Sequence, residues 1–479
     1  MICGKRGSIT AFSAMLFLVF LLLVSMCVEG VYIYVGKGKA MGACMAGLSH
    51  TKGNYQKELF EQYQVFAMDA RYEQKLPEDF AKKVKESLEE SRDSFRFQVG
   101  KAQIGKQVYL TDQNGEVLKY QIRELMKYQM GAEVVSLWTD KFNKAADHGG
   151  DLSAIQQQID QEEKDAQEKE KMDQIEKGEK QEDPRDGLMK MIRQGSISLV
   201  LGKRKVSGLQ VPAVYGNQDD STEQTWNFFK KSSMEEKLKE GSKTSGGKLS
   251  SELPGILYGL QYFHHLTSTE KKEGLQYEVE YLIAGKGTEK ENLGTVLWKM
   301  IFLRFFTNTV YIYKDPVKGK EAAALAASIL GITGIPPLVS LAKNLLLLAL
   351  AYGESVIDVR NLAEGKKVPL TKSKATWQLP FTGLATLTCK RKPVQQGLDY
   401  EDYLFLLLTL QKNQREKYLR MLDVMEHNVK QKVPGLSLKK CPVSYKVTLD
   451  MTLNSLRFGG MSLPVPFQSR WKFQRITGY

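Results

Sequence analysis

The sequence predicts an α+β fold, in which an N-terminal transmembrane helix and a helical stalk carry an extracytoplasmic body with an antiparallel sheet. Three observations support this prediction. Residues 9–28 form an uncharged apolar run that is long enough to cross a bilayer as one helix. Apolar residues with helical spacing follow this run. Near the C-terminus, apolar and polar residues alternate over two segments, which predicts two strands of an antiparallel sheet.

The apolar run is the predicted membrane anchor, in a single-pass protein of the cell membrane. Lys5 and Arg6 precede it, so the positive-inside rule favours a cytoplasmic N-terminus and an extracytoplasmic body. Basic residues that follow the run weaken this preference, and a cleaved signal peptide is the alternative interpretation. Four residues mark the length of the anchor: Ile9, Phe17, Leu22 and Val28.

Composition indicates a folded body whose stability depends on its core. Of 479 residues, 42% are hydrophobic and 26% are charged, and the five cysteines are far apart without a CxxC pair. This pattern argues against a disulfide scaffold and against a zinc site. From Arg360 onward there are 21 Lys and Arg against 8 Asp and Glu, an excess equal to the whole net charge of +13. The excess suggests a surface for anionic lipid or wall polymer, and the alternative is solvated basic faces. Nucleic acid is not an expected partner.

The region after residues 1–30, the tail and anchor, divides by composition into four parts. Residues 31–100 predict a helical stalk, and 101–150 predict a hairpin around Asn114-Gly115 followed by a helix. Residues 151–186 are so rich in charge that they predict a solvated spacer. Residues 187–479 predict the main α+β body, which contains a flexible loop at 237–255.

Within the main body, the sequence predicts a strand at 276–283 and a helix that Asn292 caps. The apolar residues after 321 predict the centre of the core. Only about nine uncharged residues separate Asn344 from Glu354, too few for a second membrane span. Asp399, with Asp402 in the first turn, predicts the start of a long amphipathic helix.

No catalytic motif is apparent in the sequence, so we expect neither enzymatic activity nor a cofactor. His264 and His265 are adjacent and cannot point the same way from a helix or strand, which argues against a metal site. Glu354 and Asp358 lie four residues apart on a predicted helix with Arg360 close by. A structural ion pair is the better interpretation of this group than general acid-base catalysis.

Glu29 is the candidate assembly contact. It follows the apolar run directly and is the only acidic residue before Glu58. Two interpretations stay open: the carboxylate lies in the headgroup region, or it pairs with a cation of a neighbouring helix or subunit.

The N-terminal segment GSITAFSAMLFLVFLLLVSMCVEGVYIY resembles the N-terminus of TadE/TadG-like proteins of tight-adherence (Flp) pili. Further segments, among them YEVEYLIAGKGTEKENL, AYGESVIDVRNLAEGKKVPL and LDYEDYLFLLLTL, are similar to an uncharacterised family of Gram-positive, largely clostridial membrane proteins. This second resemblance covers most of the chain. Together the resemblances imply a single-pass, outward-facing protein of pilus or secretion loci, without an established activity.

The sequence as a whole therefore suggests a membrane-anchored structural component of a pilus-like assembly. Its expected partners are the membrane and other pilus-assembly or pseudopilin-like proteins. The alternative is an anchored module that binds cell wall or anionic lipid and is unrelated to pili.

Overall fold

The computed structural model describes residues 6–90, 95–129, 195–215, 248–269, 274–330, 336–387, 389, 397–411, 413–458, 461–462 and 468–479. These residues belong to two compact units. Unit 1 comprises the described residues up to Gln121 and those from Val429 to Tyr479, and unit 2 comprises those from Ile122 to Asn217 and from Gly246 to Asn428. The predicted spacer at 151–186 lies outside the described residues, and so does the first part of the predicted loop, 237–247.

Twelve α-helices and five strands lie in the described part of the chain. The helices are α1 Arg6–Lys52, α2 Lys57–Tyr63, α3 Leu76–Glu90, α4 Glu116–Gln129, α5 Ser196–Leu201, α6 Lys248–Tyr262, α7 Glu278–Ala284, α8 Glu289–Lys314, α9 Pro316–Leu330, α10 Pro336–Ala363, α11 Tyr400–Thr409 and α12 Gln414–Lys432. The strands are β1 Phe97–Tyr109, β2 Pro442–Leu453, β3 Arg457–Phe458, β4 Met461–Ser462 and β5 Ser469–Gly478.

Unit 1 is built on a three-stranded antiparallel sheet in the order β1-β2-β5. The predicted C-terminal strands are therefore confirmed. Tyr445, Val447, Leu449 and Met451 lie on one face of β2 and are buried in one core with residues of α1 and α3. The intervening positions of β2 are less buried, as the period of two in the sequence predicts.

Helix α1 is longer than the predicted anchor. It continues without a break through 47 residues, so the stalk predicted from residue 31 begins as the second half of the same helix. That half lies against the core of unit 1, where Ala40, Cys44 and Leu48 are buried. Gly47 permits this packing, because a Cβ atom there would lie 2.9 Å from Val84 Cγ2.

The prediction of a hairpin around Asn114-Gly115 is wrong. β1 is a single strand of 13 residues, and after the turn the chain forms α4 instead of a second strand. The turn itself is present, with Asn114 in the left-handed region at a φ of 51°. Leu118, Ile122 and Met126 are buried at four-residue spacing, so the helical period of this segment decides its structure.

Unit 2 is mainly helical, and α8, α9 and α10 pack against one another. Three local predictions for it are wrong. The strand predicted at 276–283 falls largely in the helix α7. Residues 248–255, the last part of the predicted loop, belong to α6. Thr288 caps α8 in place of Asn292.

The capping prediction at the next helix is confirmed. Asp399 and Asp402 form a reciprocal capping box at the start of α11. The long helix predicted from this point is instead two helices, because α11 ends at Thr409 and α12 starts at Gln414.

Two of the described helices are long and apolar enough to cross a membrane, at Ile9–Lys52 and Val339–Ala363. The most apolar part of the first is not buried at all, whereas 72% of the second is buried inside the protein. The second lies within α10 and is mostly packed inside unit 2, in the region that the sequence predicts as the centre of the core.

Candidate functional site

The N-terminal half of α1 exposes apolar side chains along its whole length. Each predicted anchor residue has more than a third of its surface accessible: Ile9 67%, Phe17 60%, Leu22 39% and Val28 44%. Twenty residues of α-helix extend about 30 Å, the thickness of a bilayer's hydrocarbon core. An apolar surface of this size is costly in water, and a bilayer would cover it.

Glu29 lies where this apolar half ends, and its side chain is buried within the protein. Only 1% of its surface is accessible, and within the described residues neither carboxylate oxygen has a hydrogen-bond partner. One turn further, Tyr32 stacks on Phe95 with ring centroids 4.7 Å apart. A buried carboxylate without a partner costs free energy, so a cationic or hydrogen-bonding partner would stabilise this position.

A buried network of charged side chains lies in unit 2. Lys372 Nζ donates to Glu354 Oε1 at 2.5 Å and to Asp358 Oδ1 at 2.6 Å. Arg304 donates from Nε and Nη2 to Asp358 Oδ2 at 3.0 and 2.9 Å. Two carboxylates and two cations therefore neutralise one another away from water.

Neutral groups complete the hydrogen bonding of this network. Asn308 Nδ2 donates to Asp358 Oδ2 at 3.1 Å, and the backbone amide of Leu379 donates to Glu354 Oε2 at 2.7 Å. Burial by itself raises the pKa of the Asp358 carboxyl, but the adjacent Arg304 and Lys372 cations lower that pKa below its ordinary value. Asp358 is thus held ionised as an acceptor.

The ion pair predicted from the sequence is confirmed for the acids Glu354 and Asp358, but the prediction that Arg360 is their cation is wrong. Arg360 donates to the backbone oxygens of Leu199 and Leu387, at 2.7 and 2.8 Å. Arg304 and Lys372 take the expected role of Arg360. A signal for Arg304 exists in the sequence, because it is one of few charges within the apolar segment of α8.

Neither histidine of the adjacent pair belongs to a metal site within the described residues, where no group of three or more His, Cys, Asp or Glu side chains is arranged to hold an ion. The backbone amide of His264 donates to Glu278 Oε2 at 2.8 Å. Burial lowers the pKa of His265 to about 4, so its ring is neutral at physiological pH.

The fold and the exposed helix define a class of protein: a mixed helix-and-sheet protein whose N-terminal helix is long and apolar enough to span a membrane. The chain belongs to a family of unknown function (DUF5702), whose model matches residues 174–453. This confirms that the family is an uncharacterised one. The matched region starts after α1, so it carries no information on the tight-adherence resemblance of the N-terminus. No curated protein and no solved structure matches the chain.

Proposed function

We propose that this protein is a membrane-anchored structural subunit of a pilus-like assembly, in which the apolar halves of α1 helices pack together. One observation carries the proposal. α1 is a single helix of 47 residues, with an exposed apolar half and a second half that is buried in the core of unit 1. The membrane helix therefore continues directly into the core of unit 1 as one helix, about 70 Å long.

Rigid coupling favours an assembly subunit over the alternative of a tethered binding module. A tether only has to keep a module near the membrane, and a flexible linker after the anchor is sufficient for that. Subunits that assemble through their helices need a fixed angle between helix and body, since each contact must place the next subunit correctly. The tight-adherence resemblance of the N-terminus supports the same function.

Glu29 is the position on α1 where an assembly contact would be strongest. Its carboxylate oxygens have no hydrogen-bond partner in the part of the chain that the structure describes. A cation from a neighbouring subunit would supply one after a small movement of the side chains that cover Glu29. The expected neighbours are further copies of this chain or other pilus-assembly and pseudopilin-like proteins. In this proposal the body is extracytoplasmic.

Cysteine scanning of α1 tests the proposal in membranes. Single cysteines would replace Val19, Phe20, Leu21 and Leu22 in turn in a cysteine-free chain, followed by treatment with a short bifunctional thiol reagent. Cross-linking should be strong at one or two of these four positions and weak at the others, because four successive residues cover one helical turn and only one face meets a neighbour. Uniform cross-linking around the helix would indicate random collision and contradict the proposal.

The same assay tests Glu29. In the variant that cross-links best, Glu29→Gln should reduce the cross-linked fraction several-fold, because a neutral amide pairs weakly with a cation. Glu61→Gln is the matched control, since Glu61 is an exposed acid of unit 1 in a surface pair with Lys57. Equal cross-linking in both variants would remove Glu29 from the assembly contact.

A further inference from the structure

A cleft of about 970 Å³ opens on the surface of unit 2 beside the start of α8. Its lining includes four basic side chains: Lys203 and Arg204 from the segment after α5, and Lys286 and Lys290 at the start of α8. The same lining holds one carboxylic acid, Glu291. Because all four basic residues are exposed, their charges face the solvent of the cleft.

No intramolecular acid neutralises these cations within the described part of the chain. None of the four forms a salt bridge there, although surface lysines elsewhere, such as Lys318 with Glu321, do so. A concave surface with several cations of one sign concentrates anions from solution. The cleft is therefore suited to an anionic ligand.

Buried contacts hold the backbone of the cleft in place. Asn292 binds both backbone groups of Lys286, accepting from its amide at 2.7 Å and donating to its carbonyl oxygen at 3.0 Å. The amide of Val211 donates to the carbonyl oxygen of Gly287 at 2.9 Å, which joins the segment after α5 to the loop before α8. Both pairs of cations thus project from backbone that is fixed before any ligand arrives.

An exposed aromatic row continues from the cleft along α8. Trp298 lines the cleft with 42% of its surface accessible, and Phe302, one turn further, is 48% accessible. The ring centroid of Phe302 lies 6.4 Å from that of Trp298 and 4.4 Å from that of Phe306. Exposed aromatic rings are unfavourable in water but favourable at the boundary between lipid headgroups and acyl chains.

We propose that this surface of unit 2 binds an anionic membrane, with lipid phosphates in the basic cleft and Trp298 and Phe302 inserted beside them. Basic residues next to exposed aromatic rings match an amphiphile, which is charged at one end and apolar at the other. Binding of a soluble anion would require only the basic side chains and not the exposed aromatic rings. The α1 anchor would keep a bilayer at high effective concentration for the whole chain. This inference does not depend on assembly into a pilus.

Quenching of Trp298 by brominated lipid tests the proposal on the full chain in nanodiscs. The difference in fluorescence between the parent and Trp298→Phe isolates the signal of this residue. Quenching should increase as phosphatidylglycerol replaces phosphatidylcholine, and it should decrease as salt screens the cations. The double variant Lys286→Gln with Lys290→Gln should lower the affinity for phosphatidylglycerol about fivefold for each lysine removed.

The matched control is Lys101→Gln with Lys472→Gln, two exposed lysines of the sheet in unit 1. It removes the same charge from the chain and should leave the quenching unchanged. Equal quenching of Trp298 in phosphatidylcholine and phosphatidylglycerol, or an equal loss in both double variants, would overturn the proposal. It would also be overturned if glycerol phosphate bound the cleft while phosphatidylglycerol nanodiscs left Trp298 unquenched.

Discussion

At the scale of single residues, Lys372 is a cation of unit 2 that two carboxylates hold. Its ammonium group is fully buried and contacts both Glu354 and Asp358. Removal of one partner from a buried ion network leaves the other charges uncompensated, which is far more costly than the loss of an exposed pair. Lys372 also belongs to a segment without regular secondary structure, so these contacts fix that segment against α10.

We predict that Lys372→Met lowers the free energy of unfolding by about 3–5 kcal/mol. The methionine side chain fits a similar volume but leaves two carboxylates with one cation, Arg304. Urea denaturation, followed by circular dichroism, measures the effect. Lys374→Met is the matched control, because Lys374 is exposed two residues away and should change stability by less than about 0.5 kcal/mol. Similar losses in both variants would contradict the structural role of the network.

At the scale of elements, α7 shows how buried polar residues affect a sequence pattern. Tyr277, Val279, Tyr281 and Ile283 alternate with polar residues, which predicts a strand with a solvated face. Glu278 and Glu280 are in fact buried. Glu280 Oε1 accepts from the amide of Leu266 at 2.9 Å and from the hydroxyl of Tyr400 at 2.8 Å. Nearly every side chain of α7 is buried, the polar ones included. The alternation of polar and apolar residues therefore does not indicate which side chains face solvent.

The burial of Glu280 predicts a dependence of stability on pH. Desolvation raises its pKa from the ordinary 4.5 to about 7. The folded chain therefore holds this proton more tightly than the unfolded chain, and stability should fall as pH rises from about 4.5 to about 7. Acidification from about pH 8 to about pH 5 should stabilise the parent by about 3 kcal/mol relative to Glu280→Gln.

Urea midpoints of the parent and Glu280→Gln at both pH values measure this difference. The glutamine variant keeps the shape and the acceptor oxygen but cannot titrate, so it corrects for all other groups. Parallel pH profiles for the two proteins would show that Glu280 does not bind a proton in this range.

At the scale of the whole molecule, the excess of basic residues after Arg360 does not belong to one unit. Residues 360–428 fall in unit 2 and residues 429–479 fall in unit 1. Some of the cations are also buried, Lys372 and Lys417 among them. The excess of basic residues is thus shared between the two units. The basic cleft of unit 2 is formed by earlier residues, Lys203 to Lys290.

The proposed orientation of α1 places the C-terminus outside the cytoplasm. Alkaline phosphatase fused after Tyr479 should be active, and a fluorescent protein that matures only in the cytoplasm should be dark, because Lys5 and Arg6 favour a cytoplasmic N-terminus. The control variant, Lys5→Glu with Arg6→Glu, should shift part of the population to the opposite orientation. An inactive phosphatase together with a bright fluorescent fusion would reverse the proposed topology.

The sequence by itself determined the features that depend on neighbours within a few residues. Hydropathy over twenty residues located the exposed half of α1, and the Asp399 and Asp402 pair located the start of α11. Alternation located β2 and β5, since the two faces of this sheet meet different surroundings. Each of these features depends on residues that are close in the sequence, so it can be read without knowing which distant segments the fold brings together.

Only the tertiary structure decided which side chains neutralise the buried acids and which polar residues are inside. Asp358 pairs with Lys372 and Arg304, which are 14 and 54 residues away, while the nearby Arg360 binds backbone oxygens. It also decided that Glu29 is buried, with no hydrogen-bond partner among the described residues. The physical reason is that the cost of burying a charge depends on every group the fold brings within a few ångströms, and local sequence does not specify those groups.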